Sequence, residues 1–364
     1  MSFSLFVLFF VATLLLCLAF LYIGKHERKE RGLDTSNKAG LAVMAAIILG
    51  WLLLHVASKK AVFPFENAPF GLAPFLIAAA TLSMHVICKG KIHRFWIYFL
   101  TTLLSVVFLP TDVFVFQGIL PLYYDRFATA LIWALFICIY TRMDKLNGIT
   151  TFQTSALCLG FALFPLLTAT HRLYPADFCF YPMIILSALI GFINYKKYEP
   201  DTLLGRTGSA PLGYLMGLFF ILLAVKGFWM AFLIMPLYYY LETIYSLINK
   251  LVHRDTSSPT SSFFFTSWVI RKNTNIKGLF SFLFLVMVGF ALIGLLFNEN
   301  IRFMLILASF LIFYTSYRLF YWGRPKITYR SMFRDTKDVL VLLKTNAKDS
   351  YNTVSTYIKD KNKK

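Results

Sequence analysis

The stretch GRTGSAPLG, Gly205–Gly213, holds an arginine inside a glycine-rich turn just before a long apolar run. Arginine stays protonated and only donates hydrogen bonds. Arg206 therefore cannot ligate a metal ion, but its planar fork suits phosphate oxygens. Two more short polar stretches interrupt apolar runs. CKGKIHR, Cys88–Arg94, supplies Lys89, Lys91 and His93; RMDKLNG, Arg142–Gly148, supplies Asp144 and Asn147. The acids at hand are few: Asp144, with Glu199 and Asp201 just ahead of the glycine-rich turn. His93 and His253 have the right chemistry for general bases, although a lone histidine at a membrane surface is more often structural. Glu242, in YYYLETIY, lies near a helix end, where its carboxylate is expected to reach out to water.

The elements that must position these residues are membrane helices. Of the 364 residues 58% are hydrophobic and only 15% charged, too much apolar surface for a soluble domain to hide. Ser4–Ile23, Leu41–Val56, Phe178–Asn194 and Phe280–Phe297 approach the roughly 20 residues that cross a bilayer core. Spans must satisfy their own backbone, so they are helices, and the short alternating segments of a β-barrel are missing. The sequence predicts an all-α polytopic bundle of about eleven transmembrane helices, near 4–23, 39–57, 71–88, 95–110, 126–140, 152–169, 178–194, 210–225, 227–247, 279–297 and 300–318.

Charge orients that bundle. No basic residue precedes the first span, and KHERKERG follows it, which predicts an uncleaved anchor with its amino terminus outside. Of the 36 lysines and arginines, only Lys59, Lys60, Arg126, Arg172, Lys226 and Arg302 then fall in outside loops. An even number of spans would scramble this asymmetry. The net charge of +19 is thus a topology signal and implies no nucleic-acid partner. Cys17, Cys88, Cys138, Cys158 and Cys179 lack metal or disulfide spacing and read as small core residues. Residues 1–323 form the membrane domain. Residues 324–364 are a basic cytoplasmic tail with apolar residues at helical spacing, suited to anionic lipid. The loop Asn249–Lys277 contains SSPTSSFFFTSW, a candidate interfacial segment.

In this order and on this side of the membrane, the polar stretches resemble the polyprenyl-phosphate N-acetylhexosamine-1-phosphate transferases. This superfamily, glycosyltransferase family 4, includes the phospho-N-acetylmuramoyl-pentapeptide transferase type. Its small-residue start to the second helix, GGLAI, corresponds to AGLAV, Ala39–Val43. Its NxxDGxDGL pattern corresponds to TRMDKLNGI, Thr141–Ile149, which keeps Asp144 and Gly148. Its GDxGSxxLG pattern corresponds to GRTGSAPLG, which keeps every fixed position but the aspartate. The resemblance covers about residues 24–320. It implies a ten- or eleven-helix bundle that moves a sugar phosphate from a UDP-sugar to a polyprenyl phosphate, with magnesium, at the cytoplasmic face.

The departures fall on the acids. The family's adjacent aspartates correspond to Lys89 and Gly90, or to Cys88 and Lys89 with a slip of one. The asparagine of its NxxDGxDGL pattern becomes Thr141, the second aspartate there becomes Asn147, and the metal-binding aspartate becomes Arg206. Ser262–Gly278 holds no counterpart of the histidine-rich motif. Asp144 is the single acid retained and the candidate catalytic residue. Lys89, Lys91, Asn147, Arg206, Gly208 and Ser209 are the candidate phosphate- or substrate-binding residues, and no metal ligand set is expected. The resemblance and its departures together imply a catalytically impaired homologue that keeps phosphate or lipid binding and needs no cofactor. Its alternatives are an active transferase with a rebuilt site, which would use Mg2+, and an unrelated transporter, which would carry mid-membrane charges. Expected partners are polyprenyl phosphate or another anionic lipid, a UDP-N-acetylhexosamine, and a second copy of the chain. The expected location is the inner (plasma) membrane, with the carboxyl terminus cytoplasmic.

Overall fold

A computed structural model describes residues 3–31, 35–58, 73–85, 93–109, 114–116, 118–144, 149–167, 179–199, 202–225, 227–228, 233–253, 276–296 and 301–323. Among these it holds eleven helices and no strand. They are α1 (Phe3–Arg31), α2 (Thr35–Ser58), α3 (Ala73–His85), α4 (His93–Val107), α5 (Leu122–Met143) and α6 (Ile149–Leu167). After them come α7 (Phe180–Lys196), α8 (Gly205–Val225), α9 (Leu237–His253), α10 (Ile276–Leu296) and α11 (Ile301–Gly323). The fold is the expected all-α membrane bundle. Stretches in α5, α8 and α11 combine the length and hydropathy needed to cross a bilayer. The tail expected at 324–364 lies outside the described residues.

One helix starts later than its apolar run predicts. The run opens at Gly227, but α9 begins at Leu237. Gly227 has φ +88°, which breaks the preceding helix. Pro236 then starts the new one: it has no N–H to lose, and its carbonyl accepts from the N–H groups of Tyr239 and Tyr240.

Helix α8 is the axis of the bundle. Every side chain from Thr207 to Ala224 is buried, with α2, α3 and α5 packed around it. In lipid, helices gain little from hiding apolar surface and rely on close backbone approach and polar bonds. Both appear here. A Cβ on Gly208 would stand 2.7 Å from the Gly40 Cα, and one on Gly217 would meet the Trp133 ring at 2.3 Å. Trp133 stacks on Tyr214 at 4.6 Å and donates its indole N–H to the Tyr214 carbonyl at 2.9 Å. On the far side, the Trp51 indole donates to the Tyr181 carbonyl at 3.1 Å. The periphery is apolar outward: Trp96, Leu100, Leu104 and Val107 on α4, and Ile306, Phe310 and Phe313 on α11, are exposed as a lipid-facing surface requires.

The described cysteines, Cys17, Cys138, Cys158 and Cys179, are free thiols. Cys17 and Cys158 are buried, and the Cys17 thiol donates to the Ala188 carbonyl at 3.3 Å.

Candidate functional site: a basic end of the bundle

The two best-matching sequence patterns meet. AGLAV opens the buried part of α2, GRTGSAPLG opens α8, and Gly40 and Gly208 form their crossing point. A Cβ on Gly40 would lie 2.2 Å from the Leu204 carbonyl oxygen and 2.3 Å from the Gly208 nitrogen. Gly208 is thus committed to helix packing. Gly205, at the first position of α8, has φ +65°, a conformation glycine adopts readily. That turn aims its N–H at Asp144, which ends α5.

Asp144 is 4% exposed, and its Oδ1 has no hydrogen-bond partner among the described residues. Burial lifts its pKa to about 7; the Lys196 charge and the Gly205 N–H pull the other way without cancelling that effect. Asp144 is thus a carboxyl group poised near neutrality with one oxygen to spare.

Arg206 follows Gly205 and is half-buried. Arg94, the second residue of α4, is half-buried too, and the two charges lie near enough to repel. Tyr98, one turn into α4 and 7% exposed, stands in the field of both arginines and beside Thr141 of α5. Below this level lies a layer of buried hydroxyls. The Tyr140 and Thr154 hydroxyls hydrogen-bond, and Tyr239 stacks on Tyr140 at 5.7 Å. Among the described residues the Ser209 hydroxyl is fully buried without a partner, as are the Oγ of Thr150 and both amide atoms of Gln153.

The structure therefore brings together Asp144, Arg206, Gly208 and Ser209. Lys89, Lys91 and Asn147 lie outside the described residues, as do Asp201 and the side chains of His93 and His253. Glu199 is half-buried beyond the end of α7. Glu242 departs from expectation: it does not reach out to water but is 3% exposed and accepts the Tyr238 hydroxyl at 2.7 Å. An i, i+4 phenol gives the carboxylate a local partner that makes this burial tolerable. Sequence reasoning passed over Arg94 and Tyr98, whose signal is a tertiary apposition. It also passed over the buried polar layer, signalled by the polar run TTFQTS at the start of an otherwise apolar helix.

Among the described residues Arg206 stands near Arg94 and the Tyr98 hydroxyl, while Asp144 faces Lys196 and the Gly205 N–H. Guanidiniums cannot ligate a cation and suit an oxyanion.

The molecule is thus a helical membrane bundle with two half-buried arginines in each other's field at one end. No protein-family profile matches the chain. It is 24% identical over 213 residues to the phospho-N-acetylmuramoyl-pentapeptide-transferase of Clostridium novyi (strain NT), a match that covers 53% of this chain and 64% of that relative. The likeness supports a distant kinship with the transferase superfamily.

Proposed function

We propose that this chain is a membrane homologue of the UDP-sugar:polyprenyl-phosphate sugar-1-phosphate transferases, impaired in transfer and retaining a lipid-phosphate site at the cytoplasmic face. The observation that carries this reading is Arg206. It stands at the N-terminal turn of α8, where the family's pattern has an acid, and a fixed positive charge takes the place of a metal ion. The helix N-terminus adds its partial positive charge. On the sequence reading Lys89, Lys91 and Asn147 add further donors, and Ser209 a hydroxyl. Binding then needs no magnesium.

Binding of polyprenyl phosphate to the purified chain, with magnesium or with chelator, tests this. The parent should bind equally in both. A charge-assisted contact contributes about 1.5–3 kcal/mol, so Arg206→Ala should weaken binding roughly ten- to a hundredfold. Binding that requires magnesium, or an Arg206→Ala variant equal to the parent, overturns the reading.

A second reading, an active transferase with a rebuilt site, is favoured by Asp144, whose buried carboxyl has a free oxygen and a pKa of about 7. Magnesium-dependent release of UMP from UDP-N-acetylhexosamines, abolished by Asp144→Asn, would establish it in place of the first.

A further inference from the structure

We propose that Arg94 and Arg206 act as one two-guanidinium clamp that selects a phosphate monoester dianion over a phosphodiester. The inference rests on the phosphate-binding reading above and adds to it a second arginine and a ligand class.

Three helices build the clamp. Arg94 is the second residue of α4, Arg206 the second of α8, and Tyr98, in the field of both, lies beside Thr141 of α5. The walls are tied together lower down. The Ser105 hydroxyl of α4 hydrogen-bonds the Tyr214 hydroxyl of α8 at 2.7 Å, and the Thr102 hydroxyl of α4 donates to the Ala130 carbonyl of α5 at 2.9 Å. The two arginines are therefore held near each other by the helices that carry them. Among the described residues, neither has a hydrogen bond or an ion pair, and what each feels from the other is repulsion. Two half-buried like charges held together without a counter-ion among the described residues are unfavourable, and an arriving anion relieves that strain.

The size of the relief sets the selectivity. A phosphate monoester carries close to two negative charges and three free oxygens, enough to engage both forks. A phosphodiester carries one charge and two free oxygens, and leaves one guanidinium uncompensated. Each arginine stands in the first turn of its helix, whose N-terminus adds to the positive field. The fully buried, unpartnered Ser209 hydroxyl lies one helical turn below Arg206. Asp144, three residues beyond Thr141, opposes an anion only weakly because burial keeps it partly protonated near neutral pH.

The test uses the full chain in phosphatidylcholine nanodiscs. Bound lipid is counted by native mass spectrometry with phosphatidic acid, a monoester, against phosphatidylglycerol, a diester. The parent should prefer the monoester by about tenfold or more. Arg94→Gln should remove that preference and lower monoester binding about tenfold while leaving phosphatidylglycerol unchanged; Arg94→Lys should keep part of it. An unchanged thermal midpoint shows that Arg94→Gln is folded. In a parallel arm, millimolar inorganic phosphate is tested for thermal protection. Protection that vanishes in Arg94→Gln extends the clamp to free phosphate; monoester preference without protection confines it to lipid headgroups. A parent that binds both lipids alike, or a preference that survives Arg94→Gln, overturns the clamp. If Arg206→Ala loses lipid phosphate and Arg94→Gln does not, the clamp falls and the single-arginine reading stands. If the parent binds no phosphate at all, that reading falls with it.

Discussion

Helix α5 carries a buried aspartate near each end, and the fold treats the two in opposite ways. Asp125, in the first turn, is fully buried, and both its oxygens are used: Oδ1 accepts the Phe116 N–H at 2.8 Å and Oδ2 the Val115 N–H at 3.2 Å. Its carboxylate also sits at the end of the helix where the dipole favours negative charge. Asp144 sits at the other end, against the dipole, with one oxygen unpartnered and its proton affinity raised. A satisfied buried acid holds a loop in place. An unsatisfied one is a standing cost, tolerated where a group must remain available. The difference sets a satisfied loop anchor at one end of the bundle against the proposed site at the other.

The largest effect should come from the architectural end. Asp125→Ala leaves two loop N–H groups without acceptors and should lower stability by about 3 kcal/mol, read as a fall in the thermal midpoint in detergent. A variant as stable as the parent would erase the contrast. At the other end the sign should reverse. The folded-state pKa of Asp144 is raised from 3.8 to about 7, so the native state binds the extra proton between those values. The stability conferred by the protonated form is present at low pH and lost as pH rises toward 7. Asp144→Asn, which cannot ionise, should match the parent near pH 4 and be clearly the more stable of the two at pH 8. An equal loss at both pH values would show that Asp144 is structural like Asp125. The smallest effect should come from Ser209→Ala. Removing a buried hydroxyl that has no partner should leave stability unchanged or raise it by about 0.5–1 kcal/mol. A clear loss would mean the hydroxyl has a structural bond.

Much of this was legible in the sequence, for reasons that differ by residue. The apolar runs announce the helices because lipid leaves no other way to satisfy a backbone. The exception near Gly227 and Pro236 shows where composition stays apolar while backbone geometry forbids a continuous helix. Arg206 was legible because it replaces an acid in an otherwise intact pattern. Arg94 was not, because 112 positions of chain separate it from Arg206 and only the packing of α4 and α8 around α5 brings them together. Glu242 was misjudged because its position near a helix end says nothing about a phenol one turn back.

The crossing of Gly40 on Gly208 also separates two inheritances. Neither position can acquire a side chain unless the opposite helix retreats, so the two are bound to a common fate. Arg206 lies two residues from Gly208 and points to a different side of the helix, toward Tyr98 and Arg94. Exchange at position 206 therefore leaves the crossing untouched. A lineage built on this joint can replace its charges one at a time, and so change what it binds, while the scaffold beneath stays fixed by two atoms of hydrogen.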